Sequence, residues 1–339
     1  MKNKVTIAVA LYNNALHIER CINSVLNQTY KNIEIIIVDD GSTDDSLKKC
    51  ETFHDSRIKL HKKTNGGLSS SRQFALDIAT GDYICFIDAD DYLNNEHIEK
   101  LLHNILISKA DIGLCSVRFE SEDGIEISNH VFSEVQIETA RSIQKTDLFN
   151  NYNTIRHLYK LSDSWNKIYR LEFLKESQTK FCLPKGFNGS DAAFNHKLIL
   201  HCPKISSTNY AGYVHVIYKN SAVHRKNRRI FEGSMLIFEQ IIEECKNSSL
   251  LNEMRIQLSI LFMQYVRGGF QDIVNENGYS FNTIQEKYAE SRKAVKYYNI
   301  SKSFFLFKDK GLMLFSFLYL YLPQFLHLYL KKRAQIINF

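Results

Sequence analysis

Three near-continuous apolar runs, at 5–12, 33–38 and 83–88, each stop at a polar cluster: Asn13, Asp39–Asp40 and Asp88–Asp91. Runs of this kind lack the in-and-out alternation of a half-solvated sheet, so they read as strands buried on both faces. Between them lie helical stripes and turn residues. Ile18, Cys21, Ile22, Val25 and Leu26 recur at i, i+3, i+4, i+7 and i+8. A helix is expected after "DDGSTDDS" through about His54, a short strand at 58–62, and then a Gly-rich turn, a helix and a Gly stop in "NGGLSSSRQFALDIATG". Strand and helix alternating at this spacing predict an α/β chain with a mostly parallel sheet flanked by helices. All three polar clusters then sit at the carboxyl ends of strands, the rim where open α/β sheets bind ligands.

The rest of the chain is less regular. A strand is predicted at 111–119, loops and short elements over 120–150, helices at 162–176 and 189–202, a strand at 210–219, and mainly helices from about Arg229 to Gln271. The 339 residues leave room for two domains. The formal charge of +6 is concentrated in the last segment: residues 304–339 hold Lys308, Lys310, Lys331, Lys332 and Arg333 against Asp309, a net +4. A globally basic surface for nucleic acid is not supported. Seven scattered cysteines without a CxxC pair read as reduced, buried thiols of a cytosolic protein. No secretory signal is expected ahead of the first strand.

The stretch 311–330 is apolar and aromatic, but Ser316, Gln324, His327 and Lys331 fall near one another at helical spacing and Pro323 would kink it. Flanked by lysines, it reads as a helix lying at the headgroup level of an anionic membrane. The alternative is a helix packed on its own domain or in a dimer interface, so a homo-oligomer stays open.

Three constellations carry chemistry. In "FIDADDYL", carboxylates spaced by one residue after a strand suit a hard cation such as Mn²⁺ or Mg²⁺, which would offset their mutual repulsion. The plain alternative is a solvated acidic turn with Asp90 or Asp91 capping the helix near Asn94. In "IEIIIVDDGSTDDS", a carboxylate at the rim can accept hydrogen bonds from a nucleobase or ribose, or Asp39 or Ser42 caps the next helix. In "NGGLSSSRQFAL", glycines ahead of a helix that carries Ser69, Ser71 and Arg72 suit a bound diphosphate, although many Gly-Gly turns precede helices for steric reasons.

The ordered set "TIAVALYNN", "SVLNQTYKNIEIIIVDDGSTDDS", "NGGLSSSRQFAL" and "GDYICFIDADDYL" resembles the nucleotide-sugar half of family 2 inverting glycosyltransferases of the bacterial surface-polysaccharide type. The resemblance implies a Rossmann-like GT-A fold with a helical C-terminal region. It implies a donor half over 1–117, an acceptor and catalytic-base half over 118–228, a helical region over 229–303 and a membrane-associating tail over 304–339. Asp40 would contact the uracil or other base, Asp88 with Ala89 would lie near the ribose or metal, and Asp90 would be the direct metal ligand. Asn65 and Arg72 would lie near the nucleotide, and Tyr12 and Asn13 at the mouth of its pocket.

Downstream, "FNGSDAAFNHKL" resembles the segment that carries the family's catalytic base. That maps the base to Asp191, with Ser190 where the family has a glutamate; the alternative is helix capping by Ser190 or Asp191. "SWNKIYRLEFL" and "YKNSAVHRKNRR" also resemble family segments. In them Trp165 reads as core and His224 and Arg225 as diphosphate contacts, while the basic run to Arg229 is either solvated or meets an anionic acceptor. The chain departs from the family at Ala10, where Pro is usual, and at 71–75, which read Ser-Arg-Gln-Phe-Ala in place of an ARNxG pattern.

The implied activity is transfer of a hexosyl or N-acetylhexosaminyl group from a UDP-sugar to a glycan or lipid-linked acceptor, at the cytoplasmic face of the membrane. A nucleotidyltransferase, or a non-catalytic nucleotide-sugar-binding subunit of a polysaccharide assembly complex, is the competing reading.

Overall fold

The computed structural model describes residues 3–130, 135–138, 162–187, 189–218, 229–252, 254–275, 281–298, 310–321, 326 and 329–330. It divides into two compact units: Met1–Lys145, Ile155–Lys185 and Ser190–His224 in the first, and Thr146–Thr154, Gly186–Gly189 and Arg225–Phe339 in the second.

The first unit is built on a ten-stranded sheet. Its strands are β1 (Val5–Leu11), β2 (Ile33–Asp39), β3 (Ile58–Lys62), β4 (Tyr83–Asp88), β5 (Tyr92–Leu93), β6 (Ile112–Ser121), β7 (Glu126–His130), β8 (Val135–Glu138), β9 (Lys167–Arg170) and β10 (Lys204–Ile217). The main path runs β3-β2-β1-β4-β9-β6-β10-β5, with β7 beside β6 and β8 beside β10. As the apolar runs require, β1, β2, β3 and β4 are parallel neighbours. Leu11 lies opposite Asp39 and Ala10 opposite Asp88, so this register puts all three polar clusters on one rim.

The helices α1 (Ile18–Leu26), α2 (Ser46–Glu51), α3 (Leu68–Ile78) and α4 (His97–Ser108) fall between these strands. The stripe expected on α1 is buried: Ile18, Cys21, Ile22 and Val25 all face the core. Within β2 the whole strand is buried, including Glu34. Burial opposes its charge. Hydrogen bonds from Lys59, Thr6 and Thr80 outweigh that, and hold the carboxyl well below the usual range.

One expectation is corrected here. Residues 162–176 are not one helix: Lys167–Arg170 form β9, antiparallel to both β4 and β6 in the middle of the sheet. Helix α5 (Leu171–Ser177) follows directly. A four-residue strand running into a helix with no breaker between them leaves no break in the apolar pattern to read. Helix α6 (Ser190–His201) is as expected. Six of the seven cysteines are buried, and Cys182 is exposed.

The second unit is helical: α7 (Ile230–Asn247), α8 (Arg255–Asn275), α9 (Phe281–Tyr298) and α10 (Lys310–Tyr321). Phe238 packs on Phe262 and Phe231 on Phe270. Tyr319 of α10 sits against Phe270 and Tyr288, and its hydroxyl bonds Ser291 Oγ at 2.6 Å. Ser316, expected with Gln324, His327 and Lys331 on a narrow polar face, is fully buried. It lies on the side of α10 that Phe315 and Tyr319 bury, and their apolar area decides the orientation over one small hydroxyl. Gln324, His327 and Lys331 lie outside the described residues. Among those residues no helix is long and apolar enough to cross a membrane.

Candidate active site

The site grows from the rim of β1, β2 and β4. After β1, Asn13 takes a left-handed backbone, φ 47°, a conformation asparagine tolerates better than most residues. Its N–H donates to Ser42 Oγ at 3.0 Å, and its side-chain oxygen accepts from Thr43 N–H at 2.8 Å. Asn13 therefore clasps the turn after β2, while Tyr12 beside it is exposed.

The aspartates after β2 are enclosed by backbone. Asp39 Oδ1 accepts from Ser42 N–H at 3.1 Å; its Oδ2 is buried and has no partner among the described residues. Asp40 Oδ1 accepts from Lys63 Nζ at 2.5 Å and Gly66 N–H at 3.0 Å, and Oδ2 from Gly67 N–H at 2.7 Å. Gly67 has φ +86° and ψ 173°, a region essentially reserved for glycine. The Gly-Gly turn thus wraps its N–H groups around Asp40. Asn65 packs its backbone N 3.2 Å from where a Cβ on Gly41 would lie, at the same corner.

Arg72, in the second turn of α3, is almost wholly buried. One nitrogen donates to Asp88 Oδ1 at 2.5 Å, and the other to Asp191 Oδ1. Asp191 Oδ2 accepts from Ser164 N–H at 2.9 Å. The hydroxyls of Ser69 and Ser190 meet at 2.7 Å, a second tie between α3 and α6. Asp88, Arg72 and Asp191, far apart in sequence, are therefore one hydrogen-bonded chain.

Asp91 is fully buried. It accepts from Tyr213 Oη at 2.6 Å and from Val216 N–H at 2.9 Å, and lies 3.0 Å from His215 Nδ1. Trp165, as expected, is core: it stacks on His215 and packs against Tyr213 beneath this aspartate. Ala89 is buried between Asp88 and Asp90.

Asp90 differs. Its carbonyl accepts from Arg20 Nη2 at 2.7 Å and Tyr218 Oη at 3.0 Å, but apart from its own backbone N–H its carboxylate has no hydrogen-bond partner among the described residues. Burial, then the charges of Asp91 and Asp88, push its pKa up to about 7. A carboxylate in that state gains from a nearby cation. No cluster of three His, Cys, Asp or Glu side chains among the described residues is arranged to hold a metal. One free carboxylate does fit a hard ion that takes its remaining oxygens from phosphate and water.

Of the residues singled out in the sequence, Asp40, Arg72, Asp88, Ala89, Asp90 and Asp191 line or underlie this rim, with Tyr12, Asn13 and Asn65 at its margin. His224 and Arg225 lie outside the described residues. Lys63, Ser164, Tyr213 and His215 were missed. The alternation in "YAGYVHVIYK" does put Tyr213 and His215 on one strand face, but nothing in it points to residue 91.

Residues 6–176 match the sequence model of Glycosyl transferase family 2. The chain belongs to that family. Glycosyltransferase GlyA of Streptococcus pneumoniae is 30% identical over 223 residues, 65% of this chain and 31% of that protein. The putative glycosyltransferase EpsH of Bacillus subtilis is 28% identical over 257 residues, 75% of this chain and 72% of that one. The chain thus spans about a third of GlyA and most of EpsH. Among solved structures, S. aureus TarS 1–349 aligns with a TM-score of 0.65 at 21% identity, covering 99% of this chain and 90% of TarS. Its complex with UDP-GlcNAc aligns at 0.58 and 22%, covering 78% and 83%. These likenesses establish the GT-A-like α/β fold of this family 2 chain.

Proposed function

We propose that the chain is an inverting glycosyltransferase that moves a hexosyl or N-acetylhexosaminyl group from a nucleotide diphosphate-sugar to a hydroxyl of a glycan or lipid-linked glycan. One observation carries this reading. Of the three carboxylates on the β4 rim, Asp88 and Asp91 are bonded by side chains of other residues and Asp90 only by its own backbone N–H, which leaves Asp90 as the ligand for a divalent cation. TarS, bound to UDP-GlcNAc on the same fold, supports uridine as the nucleotide.

Asp90 would hold Mn²⁺ or Mg²⁺ against the donor diphosphate. When bound, the ion supplies charge neutralisation for the departing nucleotide.

Asp191 takes the acceptor's proton as the new carbon–oxygen bond forms on the face opposite the leaving group. Arg72 and Ser164 N–H occupy one lone pair on each of its oxygens and fix its orientation, leaving the other lone pairs for the acceptor. Asp40 holds the turn that faces the nucleotide base.

The tail, with Leu314 and Tyr321 exposed on α10, brings the enzyme to an anionic membrane surface at the cytoplasmic face. Co-sedimentation with phosphatidylglycerol vesicles, lost in a Lys331→Glu/Lys332→Glu/Arg333→Glu variant, tests that placement.

The catalytic reading is tested by a thermal-shift panel of nucleotide sugars with and without Mn²⁺, followed by turnover of the donor that stabilises. Asp90→Ala should lose metal-dependent transfer at least 100-fold with its fold intact, and Asp191→Asn should keep donor binding while losing turnover. Rates near wild type in either variant contradict the assigned roles.

A further inference from the structure

A shallow, open groove of about 630 Å³ lies beside the Asp90 loop. One wall is α1 with its C-cap, where Arg20, Asn23 and Asn27 follow at i, i+3 and i+7 and so share a stripe. The other carries Tyr92 and Asn95, and Tyr210 comes from β10.

Tyr210 is placed by two local devices. The pairing of β10 with β6 shifts register between Thr208 and Tyr213, and such a bulge re-aims the side chains within it. A Cβ on Gly212 would lie 2.4 Å from Tyr210 Cε1 and 2.6 Å from His97 Nδ1, so the ring keeps its position only over a glycine.

The chemistry of the lining is specific. The side-chain amides of Asn23, Asn27 and Asn95 have no protein partner among the described residues. Each offers two donors and an acceptor, the complement of neighbouring sugar hydroxyls. Tyrosine rings combine an apolar face with a polar edge, which suits the C–H face and hydroxyl rim of a pyranose.

Charge argues against a phosphate-bearing ligand. Arg20 directs its Nη2 to Asp90 O and to Tyr218 Oη at 2.6 Å, with its guanidinium 4.8 Å over the Tyr92 ring. Glu96 adds an opposing charge at the groove.

We infer that this groove binds a neutral oligosaccharide and serves as the subsite for acceptor sugars remote from the reacting hydroxyl. The acceptor role rests on the glycosyl-transfer reading; the sugar binding does not.

The test titrates the full chain with chitotetraose, cellotetraose and maltotetraose, without nucleotide or metal, by saturation-transfer NMR and calorimetry. At least one tetrasaccharide should bind, and Asn23→Ala/Asn27→Ala should weaken it about tenfold. Asn23 is exposed on α1 and Asn27 is exposed at its C-cap, so the double variant should melt within a few degrees of wild type. Tyr210→Ala, with its melting temperature checked, should weaken binding at least as much. No binding to the wild-type chain, or undiminished binding to the double asparagine variant, overturns the assignment. A chain that binds a tetrasaccharide but no nucleotide sugar keeps the groove and overturns glycosyl transfer instead.

Discussion

At the end of β2, two aspartates are closed in by backbone N–H groups and a lysine; at the end of β4, three aspartates within four positions each meet a different fate. Asp40 is held by Gly66, Gly67 and Lys63. Asp88 pairs with Arg72, Asp91 with Tyr213, His215 and Val216, and Asp90 faces the rim alone. Both clusters look alike as strings of letters. What separates scaffold from chemistry is whether the fold supplies a partner: a paired carboxylate stabilises its surroundings, and an unpaired one at a half-buried rim costs stability until something binds it.

The sharpest way to break this contrast is at Asp91. Asp91→Ala strands the Tyr213 hydroxyl and the Val216 N–H in a buried layer, and should cost about 3 kcal/mol in urea denaturation. A loss under ~1 kcal/mol would mean Asp91 is not a structural residue.

Asp90 should behave with the opposite sign. Its folded pKa of about 7 lies above its ordinary value of 3.8, so the native state binds more protons than the unfolded chain between those values. Stability should therefore fall as pH rises from about 4 to about 7 and level off above. Asp90→Asn should lack that slope and be about 2 kcal/mol more stable than wild type at pH 8, allowing for screening by solvent. The two should converge at pH 3.5.

At the β2 rim the expected effects are smaller. Asp40→Asn loses its charge toward Lys63 and the two glycine N–H groups, and should cost about 1.5 kcal/mol. Lys63→Ala, at a partly solvated position, should stay within ~0.5 kcal/mol. A larger loss for Asp40→Asn than for Asp91→Ala would reverse the ranking of the two rims.

The strands that carry the rim were legible because each is an unbroken apolar run ending in polar residues, and the parallel order follows from that pattern. The antiparallel strand β9 was not: Lys167, Ile168, Tyr169 and Arg170 continue into α5 without a turn, and only the slot between β4 and β6 makes them extended. Asp90 and Asp191 stood out by residue type and motif. Their environments did not, because Arg72 lies 119 positions from Asp191, and His215 lies 124 from Asp91. Pairing over such separations is a property of the folded sheet. Ser316 shows the same limit on a helix, where the contacts of Phe315 with Tyr319 and Phe270 outvote one hydroxyl.

The division of labour along residues 88–91 is tested most directly by Mn²⁺ binding in the presence of UDP, followed by electron paramagnetic resonance, in wild type and in Asp90→Asn. Wild type should take up one Mn²⁺ per chain, and the variant should bind it at least tenfold more weakly while melting no lower than wild type in metal-free buffer. Equal Mn²⁺ affinity in the two proteins would contradict the assignment of Asp90 as the cation's ligand.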